Sequence, residues 1–536
     1  MIDVNATRHK EARTKKSDRT RVYFECTKPA CAFSCHINKN ADGLFRVSRW
    51  SWHTCGVVTN PKVKRSWVVE KAKEKLGEIE GINPLDLQQS IKQTLGVDVE
   101  VPAARKAVRK ARADRDAEEA SFDKLPGLFQ ALADENPGTV TDIVMEEGRL
   151  KMAFLCPGPC VRAWSNCPKI IALDGTHGSS AFGGVVLVAT ALDGAGQIFP
   201  IAIGFVPSET NVAWRFFVRH LADALGIHNT PLAVISDRCK GIDKGVSEFL
   251  PRAAHSYCTF HIRQNMARFG TAAAEFIWTI ANAGTEQEYN EAMATLGTIS
   301  PEAKAYVEAT VPKEHLVRAF FPMPRYGHVT SNIAEATNSA LLKIRKYPPT
   351  KLFVKVIEKI NATFAEKREK YADANPADLV GPIFDAVEKN IEDGRKLFAR
   401  ASSDNVFAVD IRPGIRLSRV VKLAERTCTC SLFQDLGYPC AHACSAALKA
   451  DIDPHTLCIA ERRVGALQAV YRAGIIPVDL ETIPSLPLEA PLVQRQAGRP
   501  KVKRIRRQDR NRRILHFCSL CGEEGHTRRT CPNKEE

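Results

Sequence analysis

No apolar run in the 536 residues reaches the roughly 18–20 positions that a membrane-spanning helix needs. The first residues, MIDVNATRHKEARTKK, hold no apolar stretch of the kind a secretory signal uses, which points to work inside the cell. No solenoid-type repeat recurs, so stacked-repeat architectures are excluded. Acidic residues are in deficit, 61 against 76 Lys and Arg, and the formal charge is +15. Such an excess asks for an anionic partner, which for an intracellular chain is most often nucleic acid. A reducing compartment also leaves seventeen cysteines with few disulfides to make, and turns attention to metal.

What is present is ordinary in bulk, 44% hydrophobic and 26% charged, and long enough for two to four domains with at least one sizeable core. Residues 20–60, rich in Cys, aromatics and alternation, read as a small β-rich zinc module. Residues 66–120 read as three helices separated by Gly and Pro breaks, VVEKAKEKLGEIEG, PLDLQQSIKQTLG and AARKAVRKARADRDAEEA, a helical DNA-binding region or a helical linker. From about 168, KIIALDGT, GVVLVATALD, QIFPIAIGFV and PLAVISD are short β-branched runs bounded by Gly and Asp. With helices near 211–226 and 240–250 they predict an α/β fold, a mixed sheet flanked by helices, over 165–350. A helical insertion is expected at about 263–325, an amphipathic helix at 332–346 and a helical region at 351–400. A cysteine cluster follows at 415–450, a Pro- and Leu-rich linker with a basic tail at 475–513, and a last cysteine cluster at 516–533.

Nine cysteines fall into three groups, each joined by one histidine. Cys518, Cys521, His526 and Cys531 have the spacing of a CCHC zinc knuckle, with Gly522 and Gly525 allowing the tight turns; that motif binds single-stranded nucleic acid. In Cys428-x-Cys430, an i, i+2 pair on an extended chain points to one face. Cys440-x-His442 completes a set resembling a SWIM zinc finger, and Cys444, one turn on, reads as packing. Near the N-terminus Cys26, Cys31, His53 and Cys55 form a third set. Alternation in FRVSRWSWHTC puts His53 and Cys55 on one strand face and Trp50 and Trp52 on the other, with Cys35 and His36 as rival ligands.

Asp174 closes the apolar run KIIALD, Asp237 ends PLAVISD, and Glu335 lies on SNIAEATNSALLKIRK. Two aspartates at strand ends and a later helical glutamate could hold two divalent ions about 3.5–4 Å apart for in-line phosphoryl transfer, Mg²⁺ or Mn²⁺ being the expected ions. Each has a structural reading too: strand-end Asp residues commonly cap turns, and Glu335 could partner an N-cap Asn332. Asp193, Glu209 and Asp243 are further carboxylates that spacing does not exclude.

The consecutive blocks ALDGTH, ALDGAGQIFPIAIGFVPSETNVAW, ISDRCKGI, YCTFHIRQN and SNIAEATN resemble the signatures of Mutator-like element (MULE) transposases, over roughly residues 20–450. The resemblance implies an RNase H-like catalytic core whose DDE triad is Asp174, Asp237 and Glu335. It implies a C-x-x-H motif at Cys258 and His261, with a structural or DNA-orienting role, and a WRKY/FLYWCH-like zinc module at the start. Asn338, one turn from Glu335, is placed to orient that carboxylate, and His177 reads as a turn residue. The first block departs from many relatives in its DGTHGSS continuation, and the last in Ala336-Thr337; neither removes a triad member.

The run GRPKVKRIRRQDRNRR begins at Gly498, and its GRPK resembles an AT-hook core. Arg499 would enter a narrow minor groove, while Lys501, Lys503, Arg504, Arg506 and Arg507 would contact phosphates and serve nuclear import. The whole predicts a nuclear, oligomeric DNA transposase acting on terminal inverted repeats and target DNA, with three zinc sites and no membrane partner. The alternative is a domesticated, transposase-derived transcriptional regulator that binds DNA without chemistry.

Overall fold

In the computed structural model the described residues are 12–17, 20–26, 31–39, 45–51, 65–76, 83–95, 99–119, 122–178, 183–329, 344–412 and 415–490. Four short strands come first: β1 (Ala12–Ser17), β2 (Arg21–Cys26), β3 (Ser34–Lys39) and β4 (Phe45–Trp50) pair antiparallel in sequence order. Their small core gathers Cys26, Phe33 and Cys35, with Cys31 against it. Helices α1 (Arg65–Leu76), α2 (Pro84–Leu95) and α3 (Val101–Glu119) form a second small core around Trp67, Leu87, Ile91, Ala107 and Val108. Asn83 starts α2 by accepting from the N–H groups of Leu85 and Asp86, and Asp86 accepts from the Asn83 N–H in return. Arg105, Lys106, Arg109 and Lys110 are exposed along α3.

Helix α4 (Leu125–Glu135), strands β5 (Val140–Glu146) and β6 (Arg149–Cys156), and helix α5 (Gly158–Trp164) lead into the main sheet. There β7 (Ile170–His177), β8 (Val185–Leu192) and β9 (Ile198–Val206) form an antiparallel meander. After helix α6 (Asn211–Leu225), β10 (Leu232–Ser236) pairs parallel to β7; after α7 (Lys240–Phe249), β11 (Ala253–Tyr257) pairs parallel to β10. The resulting seven-stranded order is β11-β10-β7-β8-β9-β6-β5, a mixed sheet with helices packed on it. Every residue of β8 and β10 is buried, as the continuous apolar runs of strands covered on both faces require. Thr210 caps α6 through the Ala213 N–H at 3.2 Å, and Gly226, at φ +63°, ends it in the left-handed conformation.

Helices α8 (Thr259–Met266), α9 (Thr271–Asn282), α10 (Glu286–Ile299) and α11 (Pro301–Thr310) then build a separate core around Ile262, Ile277, Leu296 and Val307. Helix α12 (Pro349–Lys370) returns to the sheet and buries Leu352, Phe353, Val356, Ile360 and Phe364 in the main core. Helix α13 (Gly381–Gly394) precedes a four-stranded sheet, β12 (Ala399–Ser403), β13 (Val406–Arg412), β14 (Ile415–Lys422) and β15 (Thr427–Cys428), with helices α14 (Leu432–Leu436) and α15 (Ala441–Lys449) against it. This module docks on the helical insertion through Arg419–Glu288 (2.6 Å) and Ser431 to the Gly284 carbonyl (2.7 Å). Helix α16 (Val464–Tyr471) packs back into the main core.

The stretch read as the start of a linker is, over residues 475–490, a strap bound to the core. Ile475 exchanges hydrogen bonds with the Asn361 side chain, and Ile476 does so with Asn136. Glu489 bonds Leu150 and Gly148 through its backbone and Arg149 through its carboxylate, while Ile483 and Leu488 are buried. Prolines hid this because a strap satisfied by side chains and strand edges needs no periodicity of its own. The amphipathic helix expected at 332–346 lies outside the described residues as far as 343. Among the described residues no helix is long and apolar enough to cross a membrane.

Candidate functional site

Ile170, Ile171 and Ala172 of β7 lie opposite Ala233, Val234 and Ile235 of β10. Carried forward two residues, that register sets Asp174 beside Asp237 on parallel strands spaced ~4.8 Å apart. Ser236 pairs with Tyr257 on β11, so the next level on that strand holds Cys258. Three chemistry-bearing residues thus share one level across three parallel strands. Asp237 and Cys258 lie just past the ends of β10 and β11, where open α/β sheets bind ligands. Asp174 lies within β7, which the sequence had suggested would end there but which runs on to His177. Both aspartates are half-buried. Asp174 Oδ1 accepts from the Gly175 N–H at 2.9 Å, and Asp237 Oδ1 accepts from the Cys239 N–H at 3.1 Å.

Glu209 joins them from the loop between β9 and α6. Its carboxylate lies so close to Gly175 that a Cβ there would collide with it. Glu209 is therefore a third carboxylate of this end of the sheet, one that spacing left undecided. The electrostatics show the crowding. Burial, then the charge of Asp237, pushes Asp174 up to about 7, with the Gly175 N–H and His261 opposing and Glu209 adding to the rise. Burial and Asp237 also raise Glu209. His261, on α8, is held up to about 9, first by its hydrogen bond with Cys258 and, against the opposing effect of burial, by the charges of Asp237 and Asp174. Its Nδ1 is buried and has no hydrogen-bond partner among the described residues. Oxygen donors that resist ionising together and an unmatched imidazole nitrogen fit a site that takes a cation and its anionic ligand.

The fully buried Ser236 carries the strand end. Its Oγ donates to the Asp237 carbonyl at 2.6 Å and meets His255 Nε2 at 2.7 Å, while His255 Nδ1 lies 3.2 Å from Asp243 Oδ1. The trio has the composition of a nucleophilic triad, but a serine with no exposure and its proton on a carbonyl cannot attack a substrate. Asp193 is structural as well: fully buried, it accepts from the N–H groups of Ala195 and Gln197 and from the Tyr471 hydroxyl at 2.7 Å, in the turn after β8, at the end of that strand that pairs with the start of β7.

Glu335 and Asn338 lie outside the described residues, but the chain on either side is tied to this site. Val329 accepts from the Thr259 N–H at the start of α8, next to Cys258. Arg345 Nη1 donates to Thr176 Oγ1 at 3.0 Å, two residues past Asp174.

The second centre is compact. Ligand atoms of Cys428, Cys430, Cys440 and His442 all lie within 4.8 Å of one another, and among the described residues no other group of three or more His, Cys, Asp or Glu does so. Cys430 and Cys440 sulfurs are 3.6 Å apart, close to the edge of about 3.8 Å set by tetrahedral Zn–S bonds. His442 Nε2 lies 3.3 Å from the Ile411 carbonyl; its donation there turns Nδ1, 3.9 Å from Cys440, toward the thiols. Without a cation the three thiols cannot all ionise. Hydrogen bonding with Cys430 is the leading cause that pushes Cys428 up to about 12, Cys440 rises with it, and Cys430 alone is pulled down by bonds from the other two. Three thiols, an oriented imidazole and a shared charge fit zinc. Cys444 is buried and packs, its sulfur toward the Pro439 carbonyl.

In the N-terminal sheet Cys26 and Cys35 are buried and Cys31 half-buried, and His36 lies against the Tyr23 ring at 4.2 Å. His53 and Cys55 lie outside the described residues, as do Cys518, Cys521, His526 and Cys531 and the basic positions Arg499, Lys501, Lys503, Arg504, Arg506 and Arg507.

Comparison with known proteins bears on both centres. The family model of the MULE transposase domain matches residues 170–265, and that of the SWIM zinc finger matches residues 407–451. The chain therefore carries a MULE transposase domain followed by a SWIM zinc finger. The first match takes in Asp174, Glu209, Asp237, Cys258 and His261; the second contains the Cys/His cluster. The chain is also 22% identical over 162 residues to the PKS-NRPS hybrid synthetase cheA of Chaetomium globosum, a stretch that is 30% of this chain and 3% of that protein. The chain thus spans a small fraction of the length of that relative.

Proposed function

We propose that the protein is a DNA transposase with an RNase H-like core that cuts DNA at the ends of its element and joins it to target DNA. The observation that carries this reading is that the register of β7 and β10 sets Asp174 level with Asp237 on adjacent parallel strands, inside the stretch that matches a MULE transposase domain. Asp174, Asp237 and Glu335 would hold Mg²⁺ or Mn²⁺, and Glu209, set against Gly175, would add a further oxygen donor. Support for Glu335 comes from its flanks, since Val329 and Arg345 are fastened on either side of the aspartates. When bound, the ions would supply the charge that activates a water or 3′-hydroxyl and steadies the departing oxygen. The protein's own groups would hold the strand in line and keep both aspartates oriented through Gly175, Cys239 and Ser236.

Around this core, the exposed Arg and Lys residues of α3 would face DNA, with the N-terminal zinc module beside them in the sequence. The SWIM finger, its zinc on Cys428, Cys430, Cys440 and His442, would serve DNA binding from its dock on the insertion. The C-terminal knuckle would take single strands, and the basic tail would give salt-sensitive affinity and nuclear import. Two element ends must be handled together, so a homo-oligomer would assemble on DNA, in the nucleus.

The test is excision of a reporter bounded by the DNA that flanks this gene, comparing the unmodified protein with Asp237→Asn after both are shown to fold and bind those ends. Excision that disappears in the variant establishes the transposase. Binding by both with excision by neither favours the non-catalytic regulator.

A further inference from the structure

Arg238 follows Asp237 directly, and its side chain crosses from the strand end to the far end of α11. Nη2 donates to the Tyr306 hydroxyl at 2.5 Å, and Nη1 donates to the carbonyl and hydroxyl of Thr310 at 3.3 and 3.4 Å. Its carbon centre is 5.8 Å from the ring centroid, which with the hydroxyl contact puts the guanidinium at the edge of Tyr306. Arg268, exposed just after α8, lies 4.8 Å from the same ring and 4.6 Å from that of Phe269; the two rings are 5.6 Å apart. Among the described residues neither guanidinium has a carboxylate within 4.0 Å, although nearby Arg263 pairs with Glu275 and Lys304 with Glu308.

Arg238 is thus an uncompensated cation one residue from Asp237, and Arg268 shares the Tyr306 ring with it. A phosphodiester approaching Asp174, Asp237 and Glu209 meets like charge, and cations of the protein near the strand it enters on add to what bound metal ions offset. Aromatic and hydroxyl partners hold a guanidinium without quenching its charge, so it loses little further freedom on gripping a phosphate. With Arg268 against Phe269 and Tyr306, the rings position cations rather than offer a bare face to a base. We infer that Arg238, one residue beyond Asp237, and Arg268, the two held at the edge and face of Tyr306, form a clamp for backbone phosphates of the DNA strand next to the cleaved bond. The inference rests on the nuclease reading above and names the strand contact of that same site.

The probe is a fluorescein-labelled 40-base-pair duplex from the flanking DNA, bound by the full-length zinc-loaded protein over a range of salt and read by anisotropy. Arg268→Ala lowers the slope of log K against log salt by about one, and Arg238→Ala does the same. Arg268→Lys restores the slope, and Tyr306→Phe, which keeps the ring but frees Arg238, weakens binding severalfold with an unchanged melting curve. Wild-type slopes in both alanine variants overturn the clamp, as does a loss that Arg268→Lys leaves unrepaired and that appears only on duplexes with unpaired bases. A lowered slope in a protein that cleaves nothing keeps the clamp and rejects the nuclease; cleavage with unchanged slopes does the reverse.

Discussion

The two donor clusters of this chain are built on opposite plans. The SWIM ligands come from fifteen consecutive positions, Cys428 to His442, and their donor atoms already converge within 4.8 Å. The carboxylates come from three distant segments, at 174, 209 and 237, and do not close to that degree. A short local loop sets its own geometry, as a closed structural site requires. A site assembled from separate strand ends stays open on one side, where a substrate must enter. Charge separates them further: the thiols share a single ionisation, while Asp174 is held half-protonated near neutrality by burial and by Asp237.

The sharpest break in this comparison is Asp237→Asn, expected to cost metal-dependent DNA cleavage on the order of 10⁴-fold, as loss of an essential catalytic group does, while the melting temperature and zinc content stay unchanged. Cys440→Ser reverses the pattern. One bound zinc per chain disappears from the elemental analysis, and the module from β12 to α15 loses its protection against hydrogen exchange. If the variant keeps its full zinc content, the local cluster is not the zinc site. Glu209→Gln sits between these extremes, with a fall in cleavage of about 10–100-fold at saturating Mg²⁺ that higher Mn²⁺ partly repairs.

Proton linkage gives a smaller effect with a definite sign. Because the Asp174 pKa is raised from 3.8 to about 7, the folded state holds a proton that the unfolded chain has released between those values. Metal-free stability therefore falls as pH rises through that window, and a divalent ion must displace the proton to bind. Mn²⁺ should raise the melting temperature more at pH 8 than at pH 5.5, and Asp174→Asn should flatten both trends. Equal shifts at the two pH values would remove Asp174 from the metal site. Least of all, Tyr471→Phe removes one donor to the structural Asp193 and costs about 1–3 kcal/mol of stability by denaturant unfolding, with the ion response untouched.

The sequence was most legible where local pattern determines structure. β-Branched runs such as PLAVISD became buried strands because nothing but a covered sheet accepts them, and the close spacing of Cys428 to His442 folded into one cluster. Glu209 was legible only as one carboxylate among several. Its place depends on β7, β8 and β9 forming a meander that returns the end of β9 to the end of β7, which no local pattern records. Asp193 looked equally plausible and is a turn residue, for the same reason in reverse: the antiparallel meander brings the end of β8 beside the start of β7, away from Asp174. The strap at 475–490 escaped notice because its partners, Asn136, Asn361 and Arg149, lie more than a hundred residues away.

That strap also has a consequence for the time course of synthesis. Strands β5 and β6 and helix α4 appear early on the ribosome, but the hydrogen bonds that tie Asn136 and the Gly148–Leu150 turn to the strap wait for residues 476–489. At ordinary elongation rates those residues follow Asp174 by roughly 15–60 s. For that interval the paired aspartates belong to an unfinished sheet. The scaffold around the paired aspartates is thus completed only after the Cys/His finger at 428–442 has been translated.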